Sequence, residues 1–241
     1  MKLENISIIM VGTTHPGNIG AAARAMNNMS IKHLVMVSPK CPVGEVAYAR
    51  ASGAHSILDQ RLTVETLEEA IQDCELVIGS TARIRSLSWP ELSPTEMAKK
   101  TWSLNDESQV AIVFGREHSG LTNEELQLCN YMVNIPTNPD FSSLNVASAI
   151  QVLCYEVYKT LDEGKAVEIV TPSEPTATSF DLEGYFDHLE RVLIVTGYLN
   201  ADNPRQLLQR LRRLYQRANM SKNEVNILRG ILSSVEKPKK H

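Results

Sequence analysis

The chain predicts an α/β fold: a mostly parallel sheet with helices on both faces, followed by a small all-helical C-terminal extension. Two observations carry this reading. Through the first 160 residues, short continuous apolar runs rich in Val and Ile alternate with segments of helical spacing, the pattern of strands covered on both sides. After a polar stretch, the remaining residues show only helical periodicity.

The elements follow in order. ISIIMV (6–11) reads as a strand, and the stretch after Asn18 as a helix carrying Arg24 on its second turn. HLVMVS (33–38) is a strand. VETLEEAIQDC (64–74) places Leu67, Ala70 and Ile71 on one helical face. ELVIGS (75–80), QVAIVF (109–114) and YMVNIP (131–136) are further strands. Asn145 opens a longer helix to Leu161, in which Val146, Ile150, Leu153 and Val157 recur at threes and fours. Residues 162–178, with Pro, Thr and Glu and no apolar period, read as a linker. Three helical segments follow: 181–199; 204–219, with Pro204 in the first turn; and 221–237, with a Ser221–Glu224 capping box. The predicted organisation is a domain over 1–161, a linker over 162–178 and a helical extension over 179–241.

Composition narrows the function classes. The chain has 241 residues, 43% of them hydrophobic, enough for one sizeable domain and an appendage. Its four cysteines show no C-x-x-C spacing, and three lie in apolar or helical stretches, so reduced core thiols are expected. No apolar run approaches the ~20 residues of a membrane span, so a cytoplasmic protein with no membrane contact is expected. Net charge is −4, unevenly spread. Residues 200–241 carry ten Lys/Arg against three acids, a balance of +7, while the rest holds 14 basic and 25 acidic residues, or −11. That asymmetry fits either a polyanion-binding end or a solvated helical face with a basic tail.

Four loops could hold a ligand. In TTHPGNIGAAARAM the glycines fit neither G-x-G-x-x-G nor the P-loop, but Asn18 and Arg24 sit where a phosphate could be met. Ser80, Thr81 and Ala82 follow a strand and precede Arg83 and Arg85. Gly115-Arg116-Glu117, then Gly120-Leu121, form a glycine-rich turn; Glu117 there could hold an ammonium or sulfonium charge, a hydroxyl, or the loop itself. Ser142, Ser143, Leu144 and Asn145 close a fourth loop at a helix start, the serines reading as ligand-contacting caps rather than nucleophiles because G-x-S-x-G is missing. His15 and His118 lack the companions of a metal site, so no metal is expected. Loops at the ends of strands in an α/β sheet are where ligands collect.

The order N-x-G-x-x-x-R (Asn18, Gly20, Arg24), G-R-E-x-x-G-L (Gly115 to Leu121) and S-S-L-N (Ser142 to Asn145) resembles the three signature motifs of the SPOUT class of RNA methyltransferases. S-T-A-R-x-R and the helical extension narrow the likeness to bacterial enzymes that methylate tRNA cytidine or uridine at the 2′-oxygen. Gly12 departs from that pattern, where an acidic residue is expected. The resemblance implies a C-terminal trefoil knot in the sheet domain. It implies S-adenosylmethionine held by Ser80, Thr81, Ala82, Gly115, Glu117, Gly120, Ile135, Ser142, Ser143, Leu144 and Asn145. It implies a homodimer, with Arg24 reaching the partner's cofactor as the catalytic residue. The implied substrate is the first nucleotide of the tRNA anticodon loop, tRNA position 32, with RNA contacts from Asn18, Arg24, Arg83, Arg85, Arg116, Arg210, Arg213 and Arg217. Because a guanidinium does not act as a base in proteins, Arg24 is read as stabilising the alkoxide and clamping a phosphate that takes the proton. The alternative is a non-catalytic RNA-binding protein retaining the knotted fold.

Overall fold

The computed structural model describes residues 1–82, 89–163, 174–200 and 206–236. The chain divides into two compact units, Met1–Thr171 and Pro172–His241.

Seven parallel strands build the sheet of the first unit. They are β1 (Ile6–Val11), β2 (His33–Val37), β3 (Leu62–Val64), β4 (Leu76–Thr81), β5 (Glu91–Leu92), β6 (Val110–Phe114) and β7 (Tyr131–Asn134). Their spatial order is β3-β2-β1-β6-β4-β7-β5. The chain therefore leaves a slot between β1 and β4 that β6 later fills, and β7 returns between β4 and β5. Side chains alternate along each strand, so Ile8 and Met10 enter one core while Ile9 and Val11 enter the other. The first core is covered by α1 (Pro16–Asn28), α2 (Glu45–Ala51), α3 (His55–Asp59), α5 (Pro94–Trp102) and α7 (Val146–Glu163). The second is covered by α4 (Leu67–Ile71) and α6 (Asn123–Gln127). Burial on both faces is why the strands read as unbroken apolar runs.

Several elements differ from the sequence reading. The helix expected over 64–74 shrinks to α4, because Leu62-Thr63-Val64 pairs with β2 as an edge strand and the Thr66 hydroxyl caps the helix by accepting from Glu69 N. Strand β5 and helices α2, α3 and α5 were not anticipated, whereas α6 begins where a helix start was expected after Gly120-Leu121. Helix α5 had a legible signal: Ser93 and Glu96 form a capping box, with Pro94 at the first position. Helix α1 begins at Pro16, two residues before Asn18, which puts Arg24 on its third turn. Cys74, Cys129 and Cys154 are buried and their thiols are pushed up to about 12 by desolvation, which leaves them protonated and unreactive.

The second unit consists of α8 (Ser179–Val195), α9 (Leu207–Gln216) and α10 (Lys222–Glu236) around Leu182, Tyr185, Phe186, Leu189, Met220 and Val225. Residues 175–178, read as linker, take part in it. Ala177 is buried and donates its N–H to Met220 O at 2.8 Å, Lys222 N donates to Pro175 O at 2.9 Å, and Thr178 caps α8. Proline and threonine here end an extended strand-like entry to a helix, a role that composition does not distinguish from a linker. Residues 164–173 of that stretch lie outside the described residues, as do Pro204 and the tail from 237.

Gly20 lets α1 lie directly on α2: a Cβ there would come within 2.0 Å of Ala47 O. Gly17, one turn earlier, would place its Cβ no nearer than 3.9 Å to any neighbour. Gly20→Ala should therefore lower the unfolding free energy by about 1–3 kcal/mol through overpacking. Gly17→Ala should be neutral or stabilising by up to ~1 kcal/mol, since alanine favours the helix. Urea unfolding of the two variants checks this, and equal stability would show that α2 yields freely.

Candidate active site

Strands β4, β6 and β7 are neighbours, and all three end at the same edge of the sheet. A cavity of about 280 Å³ opens there. Ser80, Thr81 and Ala82 line it from the end of β4; Gly115, Glu117 and Gly120 from the loop after β6; and Ile135, Ser142, Ser143, Leu144 and Asn145 from the loop after β7. These are the eleven residues that the family resemblance assigned to a cofactor, and the fold brings them to one place. Phe114, Leu121, Leu126 and Ala149 add apolar wall, and Thr137 adds a hydroxyl. Leu121 closes the Gly115-to-Leu121 motif; the other four were not anticipated, because each reads locally as core or loop.

Local chemistry shapes the walls. After β6 the chain turns back on itself: Arg116 N donates to Gly120 O at 3.2 Å and Gly120 N to Arg116 O at 2.8 Å. The turn closes so tightly that a Cβ on Gly115 would sit 2.1 Å from the Gly120 carbonyl carbon, while Gly120 itself has φ +70°. After β7, Thr137 Oγ1 donates to Ser142 O at 3.0 Å, and Asn138 Oδ1 accepts from Asp140 N at 3.1 Å. The cap of α7 is Asn145, whose Oδ1 accepts from Ala147 N at 2.9 Å; Ser142 and Ser143 stand in the wall and do not cap.

A polar network ties the loop after β6 and the head of α7 to the loop after β1 and the start of α1. Glu117 accepts from Thr14 Oγ1 and Asn18 Nδ2, each at 3.0 Å, and from Thr14 N at 3.2 Å. Asn18 Oδ1 in turn accepts from Asn145 Nδ2 at 3.0 Å. Of the roles open to Glu117, the structure thus gives its carboxylate the task of holding loops. Partial burial works to raise its pKa, but the hydrogen bonds from Asn18 and Thr14 outweigh that and hold it below its ordinary 4.5. Thr14 carries no sequence signal, since its partner lies 103 residues away.

The expected RNA-contacting arginines separate into groups. Arg24 is exposed on α1, forms no hydrogen bond or ion pair among the described residues, and is not part of the cavity wall. Arg116 is taken: both terminal nitrogens bind Glu125, at 2.8 and 2.9 Å, so its fork is closed to a phosphate. Asn18, expected at RNA, uses both ends of its carboxamide within the network. Arg83 and Arg85 lie outside the described residues. In the second unit Arg210 and Arg217 are exposed and Arg213 is half-buried. The apolar face of α9 differs from the expected Leu207, Leu211, Leu214 and Ala218. Leu211 and Tyr215 pack inward, whereas Leu214 is 49% exposed and Ala218 is exposed. Arg212 also belongs inside, forked onto Glu183 at 2.5 and 2.7 Å and stacked 4.5 Å from the Phe186 ring centre. The helix turns by about one residue because a stacked, ion-paired arginine counts as core. Among the described residues no group of His, Cys, Asp or Glu is arranged to hold a metal ion, and no helix is long and apolar enough to cross a membrane.

Comparison with known proteins gives first the class. The first unit is that of a SpoU-type methylase: the model of the SpoU rRNA Methylase family matches residues 5–155. The model of the tRNA methyltransferase TrmJ C-terminal domain matches residues 180–241. The chain is 49% identical over 246 aligned residues to a tRNA (cytidine/uridine/adenosine-2′-O-)-methyltransferase TrmJ of Pseudomonas aeruginosa, covering 98% of this chain and 95% of that one. It is 44% identical to a tRNA (cytidine/uridine-2′-O-)-methyltransferase TrmJ of Escherichia coli K12, covering 99% and 98%. The crystal structure of TrmJ from Z. mobilis superposes with a TM-score of 0.82 at 34% identity, covering 96% of this chain and 99% of that one. The chain belongs to the TrmJ family of SpoU methylases.

Because the folded-state pKa of Glu117 is depressed, its stabilisation is complete above 4.5 and is lost as pH falls through the lower folded value. Glu117→Gln, which cannot ionise, should be less stable than the wild type at neutral pH. The difference should shrink as the solution is acidified below 4.5. Thermal unfolding of both proteins across that range measures it, and a pH-independent difference would mean that ionised Glu117 is not what holds the loops.

Proposed function

We propose that this chain is an S-adenosylmethionine-dependent methyltransferase. It places a methyl group on the ribose 2′-hydroxyl of a cytidine or uridine at the start of the tRNA anticodon loop. The observation that carries the reading is the convergence of the eleven loop residues on one cavity at the ends of β4, β6 and β7.

The residues present fit that cofactor. The Gly115 turn, which a Cβ would fill, presents bare backbone to polar groups, and Thr81, Thr137, Ser142 and Ser143 add hydroxyls. Phe114, Leu121, Ile135 and Leu144 supply the apolar surface that an adenine requires. When bound, S-adenosylmethionine supplies an electrophilic methyl group for in-line transfer to oxygen. The protein's own task is alignment, which can contribute ~7–11 kcal/mol to lowering such a barrier. Loops locked by Glu117 are suited to that task.

Arg24 acts on the acceptor. Its guanidinium is well matched to a developing 2′-alkoxide and to the neighbouring phosphate, which takes the proton. Exposed, unpaired among the described residues and away from its own cavity wall, Arg24 fits a site completed between two subunits of a homodimer. The insertion of β6 between β1 and β4, and of β7 between β4 and β5, supports a chain path threaded as a trefoil knot. Asn18 would contribute to RNA binding by fixing loops, and Arg83 and Arg85 extend the basic rim. In the helical extension, Arg210, Arg213 and Arg217 would grip the phosphate backbone, which confers affinity more than base choice. A tRNA substrate implies a cytoplasmic protein.

Calorimetric titration with S-adenosylhomocysteine, NAD and ATP tests the cofactor: only the first should bind, and binding of NAD or ATP alone would overturn the reading. Arg24→Ala should lower single-turnover methylation of tRNA by at least 10²–10³-fold while leaving the S-adenosylhomocysteine Kd within about twofold. Mixing Arg24→Ala with Gly115→Trp should restore part of the activity, since a hybrid dimer holds one intact composite site. Stable mixed dimers without recovery would place the site within one chain.

Removing residues 172–241, or reversing charge at Arg210, Arg213 and Arg217, should leave S-adenosylhomocysteine binding intact and remove most tRNA affinity. The charge-reversed protein should also show a shallower dependence of affinity on salt, by up to ~0.9 for each phosphate that the protein no longer neutralises. Binding isotherms at several salt concentrations check this, and normal turnover by the truncated protein would make the extension dispensable.

A further inference from the structure

Phe141 is the most exposed large apolar side chain of the first unit among the described residues, at 79%. It stands on a short 3-10 turn, Pro139–Phe141, immediately before Ser142 in the cavity wall. Such exposure of one phenylalanine is ordinary on a surface, but its support is not. Three hydrogen bonds brace this turn: Phe141 N to Asn138 O at 2.9 Å, Asp140 N to Asn138 Oδ1 at 3.1 Å, and Thr137 Oγ1 to Ser142 O at 3.0 Å. Pro139 fixes a further torsion. The chain thus spends its local hydrogen bonding on a turn that holds an aromatic ring out in water, next in sequence to residues that line the cavity.

We propose that Phe141 is the platform on which the base of the acceptor nucleotide stacks, a contact outside the cofactor pocket that positions the acceptor without selecting its base. The inference rests on the 2′-O-methyltransferase reading above. A nucleotide in a single-stranded loop can be splayed from its neighbours, and an unstacked base gains from an apolar face in exchange. A ring next to the cavity mouth supplies that face. Stacking on an aromatic is tolerant of base identity because every base has a π-face, which suits an enzyme that accepts both pyrimidines. The two hydroxyl-bearing neighbours, Ser142 and Ser143, lie on the cavity side and leave the outer face to Phe141.

The test uses the full-length protein and two anticodon-arm RNAs, one intact and one lacking the base at the acceptor nucleotide. Phe141→Ala should lower kcat/KM on the intact RNA by roughly 5- to 150-fold, the range for losing one base–aromatic stack. It should leave the S-adenosylhomocysteine Kd and the dimer mass unchanged, and Phe141→Tyr should restore the rate. On the abasic RNA, wild type and Phe141→Ala should be equally slow, because the interaction that the mutation removes is already absent. An equal fold-loss on both RNAs would overturn the proposal, as would a weaker S-adenosylhomocysteine Kd or a lost dimer. Should the wild type fail to methylate either RNA, the functional reading falls. Fluorescence of Phe141→Trp titrated with the same two RNAs then decides the stacking itself: quenching only by the intact RNA supports it, and equal response overturns it.

Discussion

Glu117 accepts hydrogen bonds from the loop after β1 and from α1, and through Asn18 the network continues to Asn145 at the head of α7. These segments are about a hundred residues apart in sequence, and each ends a different strand or begins a different helix. A backbone-lined pocket is only as accurate as the loops that carry it, because loops otherwise fluctuate most. One ionised carboxylate with two carboxamides and a threonine joins two loops of the cavity wall, after β6 and after β7, through the loop after β1 and the start of α1. The Glu117 carboxylate, though it lines the cavity, accepts its hydrogen bonds from Thr14 and Asn18 and so serves to hold the loops.

The sheet order makes that convergence possible. Because β6 and β7 are inserted late, on either side of β4, the three strand ends that feed the pocket become neighbours although they come from distant parts of the chain. Apolar burial on both faces fixes the insertion, since β6 is buried along its whole length and belongs to both cores. A strand of this kind cannot slip without moving side chains from one core to the other. The close approach of α1 to α2 at Gly20 sets the angle at which α1 carries Asn18 into the network and Arg24 out to the surface.

Arginine use shows how tertiary structure distributes a residue type. Arg116 and Arg212 are forked onto Glu125 and Glu183 and act as structural ties within their own units. Arg24, Arg210 and Arg217 remain exposed and open to phosphate. In the sequence all five look alike. The distinction is whether a carboxylate lies within reach, and for Arg212 that carboxylate is 29 residues away.

The sequence by itself determined the fold class, the main strands and the long helix α7, and marked the loops where a ligand could sit; the full residue set around the cavity came from the resemblance to known methyltransferases. The sequence could do this much because strand burial and helix periodicity are local patterns, and because short loops at strand ends need Gly, Ser and Asn. It did not reveal β5, α2 or α3, which are too short for a period to register, nor that residues 175–178 belong to the second unit. It also could not decide what Glu117 binds, which arginines are free, or which face of α9 is buried. Those outcomes depend on pairings across a hundred residues or on a single side chain stacking on another. Only the folded chain brings such partners within hydrogen-bonding distance.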